Sequence, residues 1–369
     1  MILSNLRYVD ENFEIKRGSI ETEGEFISSI SERTDGENMN NLLVLPGFVD
    51  IHTHGGDGVD WCDRDEEKLQ KLSLYYAKHG VTSVCPTTMT LPEKDLSKIL
   101  ASIENLKGRE SGAYIHGINM EGPYISYEKR GAQNPEYIRT ASEEEFDRLN
   151  AVSKILLVDL APERPGALIF AKNVSKKAVC SVAHTNASFE ETEKGFENGF
   201  THATHLFNAM TQFESRRPGV VGAVFSSKNV TAELICDGFH LAPATVKIAF
   251  KILGEKRAVA ISDSLSSAGC RDGEYVLGGQ KVIVKNSRAH LEDGTIAGST
   301  TNLFEEFKNL LSFGVPLKAA LAACTINPAR VIGKDKVCGS IKEGKHADFI
   351  VVDENMEIVH IVVRGKVII

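Results

Sequence analysis

The chain has 369 residues, 42% of them apolar and 25% charged, with a net charge of −8 and a pI near 5.8. That composition supplies a large core, argues against a nucleic-acid surface, and leaves no apolar run near the roughly 20 residues needed to span a bilayer. Seven cysteines, an odd number without a C-x-x-C pair, fit reduced thiols in a cytoplasm, and Met1 to Arg17 lacks the apolar core of a signal peptide.

Short strands are expected at Phe13–Arg17 and Phe26–Ser31, before an apolar segment from Leu42 to Leu45. Residues 46 to 55 then read Pro-Gly-Phe-Val-Asp-Ile-His-Thr-His-Gly, a buried strand ending in two histidines at i and i+2. Alternate strand side chains share a face, so His52 and His54 are placed to hold one ion. From there short apolar runs alternate with amphipathic ones. Helices are expected at Glu66–Lys78, Asp95–Leu106, Glu143–Asn150, Pro165–Val174, Glu190–Asn198 and Pro243–Leu253. Strands two to eight are expected at Val81–Thr87, Tyr114–Glu121, Ile155–Leu160, Ala178–His184, Phe200–His205, Thr231–Asp237 and Arg257–Asp263. Eight strands with crossovers predict a (β/α)8 barrel, with the site at the C-terminal ends of its strands.

The two ends do not belong to the barrel. Residues 1–45 and 337–369, with further strands at Phe349–Val352 and Ile358–Val363, are expected to form one small β-sandwich. Residues 46–336 form the barrel, with a hairpin excursion at 273–295.

Collected by strand, the candidate ligands are His52 and His54 on the first, Glu121 on the third, His184 on the fifth, His205 on the sixth and Asp263 on the eighth. Histidines and carboxylates converging on one mouth suit two divalent ions bridged by Glu121, zinc or iron by donor type. At this point the chain resembles the amidohydrolase superfamily, and within it the N-acetylglucosamine-6-phosphate deacetylases. The resemblance covers nearly the whole chain and rests on M-E-G-P at 120–123, A-H-T at 183–185, T-H-L-F-N-A-M at 204–210, D-G-F-H at 237–240 and I-S-D at 261–263. The tail, I-N-P-A at 326–329 and G-S-I-K-E-G-K-H-A-D-F-I-V-V-D at 339–353, is shared widely among amidohydrolases and says little about substrate.

The resemblance implies that Glu121, His184 and His205 are the shared metal ligands and that His52 and His54 hold a second ion. It makes Asp263 the catalytic acid/base at the metal, and it assigns the substrate phosphate to Asn208, Ala209 and Arg216, the arginine reaching in from the neighbouring subunit of a homodimer. His240 falls at a sugar-binding position. One departure is Gln133, where some members carry a histidine that polarises the acetyl carbonyl; glutamine donates a hydrogen bond but carries no charge. The implied reaction converts N-acetylglucosamine 6-phosphate to glucosamine 6-phosphate and acetate, with N-acetylgalactosamine 6-phosphate as the alternative substrate.

Other polar residues read as structural. His202, three residues before His205, faces the opposite way and packs under a helix. His116 is structural for the same reason, His79 caps a helix, and His290, His346 and His360 lie at the surface. The loop from Asp57 to Trp61 reads as a lid or a plain connection. The rival cyclic-amide hydrolases bridge their metals with a lysine on the fourth strand, and Ile155–Leu160 has none. A non-catalytic sugar-phosphate sensor would be expected to lose Asp263 or a ligand.

Overall fold

A computed structural model describes residues 1–369. Eight parallel strands make the barrel: β1 (Phe48–Thr53), β2 (Val81–Thr88), β3 (Ile118–Glu121), β4 (Ile155–Leu160), β5 (Val179–Val182), β6 (Phe200–Ala203), β7 (Thr231–Ile235) and β8 (Ala258–Ile261). Each pairs with the next from β1 to β8. The ring closes without a regular ladder. The Asp263 N–H donates to His52 O (3.0 Å), and the amides of His54 and Gly55 both donate to Ser264 O. Between them, the Asp50 carboxylate accepts the Ser262 hydroxyl (2.5 Å). A side chain therefore stands in for a backbone partner at the seam.

The expected third strand, Tyr114–Glu121, is broken at His116 and Gly117. At Gly117 the backbone comes so close to its neighbour that an added Cβ would lie 2.7 Å from Lys154 O. His116 is buried between strand and tail, its Nε2 3.0 Å from Ser83 Oγ and 3.8 Å from Cys338 Sγ. Burial, with nearby Lys334 and Arg364, pushes its pKa down to about 3. A group depressed from 6.5 contributes stability that is complete above pH 6.5 and lost as pH falls toward 3. Relative to the non-titrating variant His116→Gln, the parent should therefore lose up to about 5 kcal/mol of stability as the solution is acidified from pH 7 toward 3. Denaturant midpoints at several pH values test this, and an unchanged pH slope would contradict it.

Helices Glu66–Lys78 and Glu143–Val152 start as read, capped by Asp65 and Ser142. Helix Gly219–Ser226 has no counterpart in the sequence reading, because Gly-Val-Val-Gly-Ala-Val-Phe-Ser is buried nearly all round and shows no amphipathic stripe. Three more unforeseen helices, Leu303–Ser312, Leu317–Cys324 and Ile326–Val331, follow the excursion. The excursion itself is a three-stranded antiparallel sheet (Gly273–Leu277, Gln280–Lys285, Arg288–Leu291) rather than a hairpin. Its Leu277, Val282 and Val284 pack on Met89, Ala132 and Leu265 at the barrel mouth.

Both ends meet in one eight-stranded sheet that includes Ile2–Val9, Ile15–Glu23, Phe26–Ser31, Leu43–Pro46, Phe349–Val352 and Ile358–Val363. Period-2 alternation divides its side chains. Leu43, Leu45, Ile350 and Val352 join the barrel's outer core, while Val44, Phe349 and Val351 join a separate core with Leu3, Leu6 and Ile20. The loop after β1 is no lid: Trp61 is fully buried and stacks on Tyr76 at 5.7 Å.

Candidate metal centre

The residues singled out by strand converge at the barrel mouth. His52 and His54 lie on and just beyond β1, and Glu121 ends β3. His184, His205 and Asp263 each stand two residues past the end of their strand. All three have left-handed backbones, with φ of 43°, 31° and 44°. For residues other than glycine this costs of order 1–3 kcal/mol each, and such strain gathers where side chains must be aimed. Here it turns each side chain from the barrel wall to the mouth.

Glu121 is the hub. Its Oε1 lies 3.0 Å from His184 Nε2, 3.2 Å from His205 Nε2 and 3.5 Å from His52 Nε2. Its Oε2 lies 3.4 Å from His54 Nε2, and Asp263 Oδ1 lies 3.3 Å from that nitrogen and 3.6 Å from His52 Nε2. Two groups emerge, His52–His54–Glu121 and Glu121–His184–His205, each with its ligating atoms within 4.8 Å of one another. They share Glu121, so one carboxylate can serve two ions.

The donor set fits cations. His184 Nε2 and His205 Nε2 face each other at 3.2 Å, and two ring lone pairs that close need a proton or a metal between them. The Nδ1 of His184 lies 2.9 Å from Lys129 O, so it donates there and leaves Nε2 for a metal. Burial opposes charge on His52 and His54, yet Glu233 and Glu121 hold the first ring's pKa well above its ordinary value. Asp263 and Glu121 hold the second at about 10. The Glu121 carboxyl is driven well below its usual range by the histidines, chiefly His52, against burial.

Above this centre opens a cleft of about 460 Å³ lined by Lys129, Gln133, Asn208, Ala209, His240 and Ile296, among others. That volume suits a small ligand. Gln133 is placed differently from the expectation. Its Oε1 accepts the Thr90 amide (2.7 Å), and its Nε2 donates to Glu121 Oε2 and lies 3.8 Å from Met89 Sδ, so the side chain braces Glu121. His240 is held through Nδ1 by Asp237 (2.7 Å). Asn208 and Ala209 sit on the turn after His205, where Ala209 O accepts the Thr185 amide. Arg216 lies outside the cleft of its own chain, on an exposed segment (residues 212–217) whose Phe213 is 62% exposed.

His202 does not pack under a helix. It lies in the barrel interior, with Nε2 3.1 Å from Glu233 Oε1. Alternation counted back from His205 does not reach His202, because His205 has left β geometry. Glu233 and Asp159, both fully buried in the layer below the candidate ligands, have no counterpart among the expected site residues. Their signal was present: a lone carboxylate inside an apolar strand, Thr-Ala-Glu-Leu-Ile and Ile-Leu-Leu-Val-Asp-Leu.

Residues 43–368 match the amidohydrolase family. The chain belongs to that family. Two relatives cover nearly all of this amidohydrolase. The N-acetylgalactosamine-6-phosphate deacetylase of Escherichia coli O157:H7 is 35% identical over 92% of this chain and 89% of its own. The N-acetylglucosamine-6-phosphate deacetylase of Bacillus subtilis (strain 168) is 32% identical over 100% and 96%. A mutant N-acetyl-D-glucosamine-6-phosphate deacetylase from Mycobacterium smegmatis, solved with N-acetyl-D-glucosamine-6-phosphate, superimposes with a TM-score of 0.94 at 28% identity, covering 100% and 99%. The Thermotoga maritima N-acetylglucosamine-6-phosphate deacetylase gives 0.90 at 31%, covering 100% and 99%.

Proposed function

We propose that this amidohydrolase removes the acetyl group from N-acetylglucosamine 6-phosphate, releasing glucosamine 6-phosphate and acetate. The observation that carries the reading is the centre itself: His54, Glu121, His184, His205 and Asp263 line a cleft sized for one sugar phosphate, with His52 buried beside them. The galactosamine epimer is the second reading, favoured by the Escherichia coli relative. Acetate release from both sugar phosphates, with metal-reconstituted protein, tests the two together. No release from either would refute the assignment.

Glu121, His184 and His205 would hold one divalent ion and His52, His54 and Glu121 a second, with Asp263 beside them; zinc and iron both suit the donors. When bound, such ions supply Lewis-acid polarisation of the amide carbonyl and lower the pKa of water toward 7. The rest falls to the chain. The Asp263 carboxyl lies 3.3 Å from His54 Nε2 and, against burial, stays below its ordinary range, chiefly through that hydrogen bond, which leaves it able to take a proton. It accepts one from the attacking water and delivers it to the departing nitrogen, which leaves as an amine. Gln133 steadies Glu121, and His240, fixed by Asp237, faces the sugar.

The phosphate is taken by Asn208, the Ala209 segment and Arg216 of a second subunit, which accounts for the absence of Arg216 from its own cleft. A guanidinium fork suits bidentate contact to phosphate oxygens. Arg216→Ala should weaken phosphorylated substrate roughly 10- to 150-fold, the equivalent of about 1.5–3 kcal/mol, while sparing slow hydrolysis of the free sugar. Mixed with Asp263→Asn protein it should recover activity, since heterodimers carry one site with both native residues. No recovery after verified subunit exchange would place Arg216 within its own chain. The enzyme is proposed to work in the cytoplasm: its seven cysteines are all free, and no helix is long and apolar enough to cross a membrane. Its two units are taken as residues 1–45 with 337–369, and 46–336.

A further inference from the structure

Beneath the ligands lies a buried polar layer for which the hydrolytic steps have no use: Asp159 on β4, Ser181 on β5, His202 on β6 and Glu233 on β7. Glu233 is its centre. Its Oε2 lies 3.0 Å from His52 Nδ1 and accepts the His205 amide at 3.2 Å, while Oε1 lies 3.1 Å from His202 Nε2. His202 is held in turn, its Nδ1 2.6 Å from Thr231 Oγ1. A carboxylate in a dry interior is costly unless its oxygens are engaged, and here both are.

The neighbouring Asp159 offers a contrast. It is equally buried, yet its nearest approach to His52 Nδ1 is 3.9 Å and neither of its oxygens has a hydrogen-bond partner. Glu233, not Asp159, receives the His52 Nδ1–H. A neutral imidazole has one donor and one acceptor nitrogen, so that bond fixes the tautomer and points the Nε2 lone pair into the centre. The Nε2 of His52 indeed has no protein hydrogen bond. His54 has no comparable anchor, since its Nδ1 is buried and unpartnered. The order of the His52–His54 pair therefore hangs on one bond from β7.

We propose that Glu233 is the positioning residue of the His52–His54 subsite, holding His52 in its metal-ready tautomer. The inference rests on the two-ion reading above. It makes the two subsites unlike: His184 is oriented by a neutral carbonyl, His52 by a carboxylate, and a carboxylate partner raises ligand basicity.

The test is zinc binding, read by elemental analysis and by titration against a competing chelator, in wild type, Glu233→Gln, Glu233→Met and Asp159→Asn. Outer-shell partners of metal ligands are worth about 10–100-fold in affinity. Glu233→Met should weaken one zinc ion by that amount and leave the other in place. Glu233→Gln, which keeps an acceptor but not the charge, should weaken the same ion less, and Asp159→Asn should leave both. The ion affected should be the one that also disappears when His52 and His54 are both replaced by Gln. Unchanged affinity in the Glu233 variants, equal weakening of both ions, or an equal loss in Asp159→Asn would overturn the proposal. Should Glu233→Met fail to fold, an affinity in Glu233→Gln within about twofold of wild type overturns it alone. A wild type that takes up a single ion refutes the two-ion reading and the inference together. Two ions with indifferent variants refute the inference only.

Discussion

Asp263→Asn should fold, keep its metal and lose turnover by at least about 10²–10⁴, the usual worth of a positioned acid/base. The substitution preserves shape and removes the proton acceptor. It also tests the strand-end geometry, because asparagine tolerates the left-handed backbone that this position requires (φ 44°). Asp263 and Glu121 are the two carboxylates within 4 Å of His54 Nε2, and Glu121 is committed to the other histidines as well. Near wild-type acetate release from the asparagine variant would remove Asp263 from the chemistry.

Replacing His52 and His54 together by Gln should strip one ion and leave the other on Glu121, His184 and His205. Activity should drop steeply without vanishing, since the remaining group is complete and Asp263 is untouched. The fall is expected to be large because Gln133, engaged by Thr90 and Glu121, offers no charged replacement for carbonyl polarisation. Elemental analysis after adding metal back decides the matter. A single tightly bound ion in wild type, unchanged in the double variant, would reject the two-ion reading.

The barrel and its strand order were legible because buried parallel strands advertise themselves as apolar runs between amphipathic helices, and Ile155–Leu160 was read to the residue. What alternation could not give was the last two residues before each ligand. The fifth, sixth and eighth strands were extended to His184, His205 and Asp263, whereas the chain leaves β geometry at Val182, Ala203 and Ile261. The candidate ligands are legible as residue types but their backbone is not, and the error reaches His202: a face assigned by counting from His205 is meaningless once the count crosses a left-handed residue. Helix Gly219–Ser226 escaped for another reason, since an all-apolar octet carries no periodic signal. Glu233 sits mid-strand, away from the strand ends where candidate ligands are recognisable.

The strand Leu43–Pro46 lies in the middle of the terminal sheet, wholly buried, with Ile2–Val9 on one edge and Phe349–Val352 on the other. Its second edge is therefore open on the ribosome until more than nine-tenths of the chain has been made. Open apolar edges are templates for wrong pairing with other molecules. The Gly47 amide, one residue before the histidine-bearing strand, donates to Asp348 O, so the late segment also pins the entry to the barrel. The tail thus covers a sticky edge left exposed during synthesis, and losing it would send the protein toward aggregates before it impaired a single ligand.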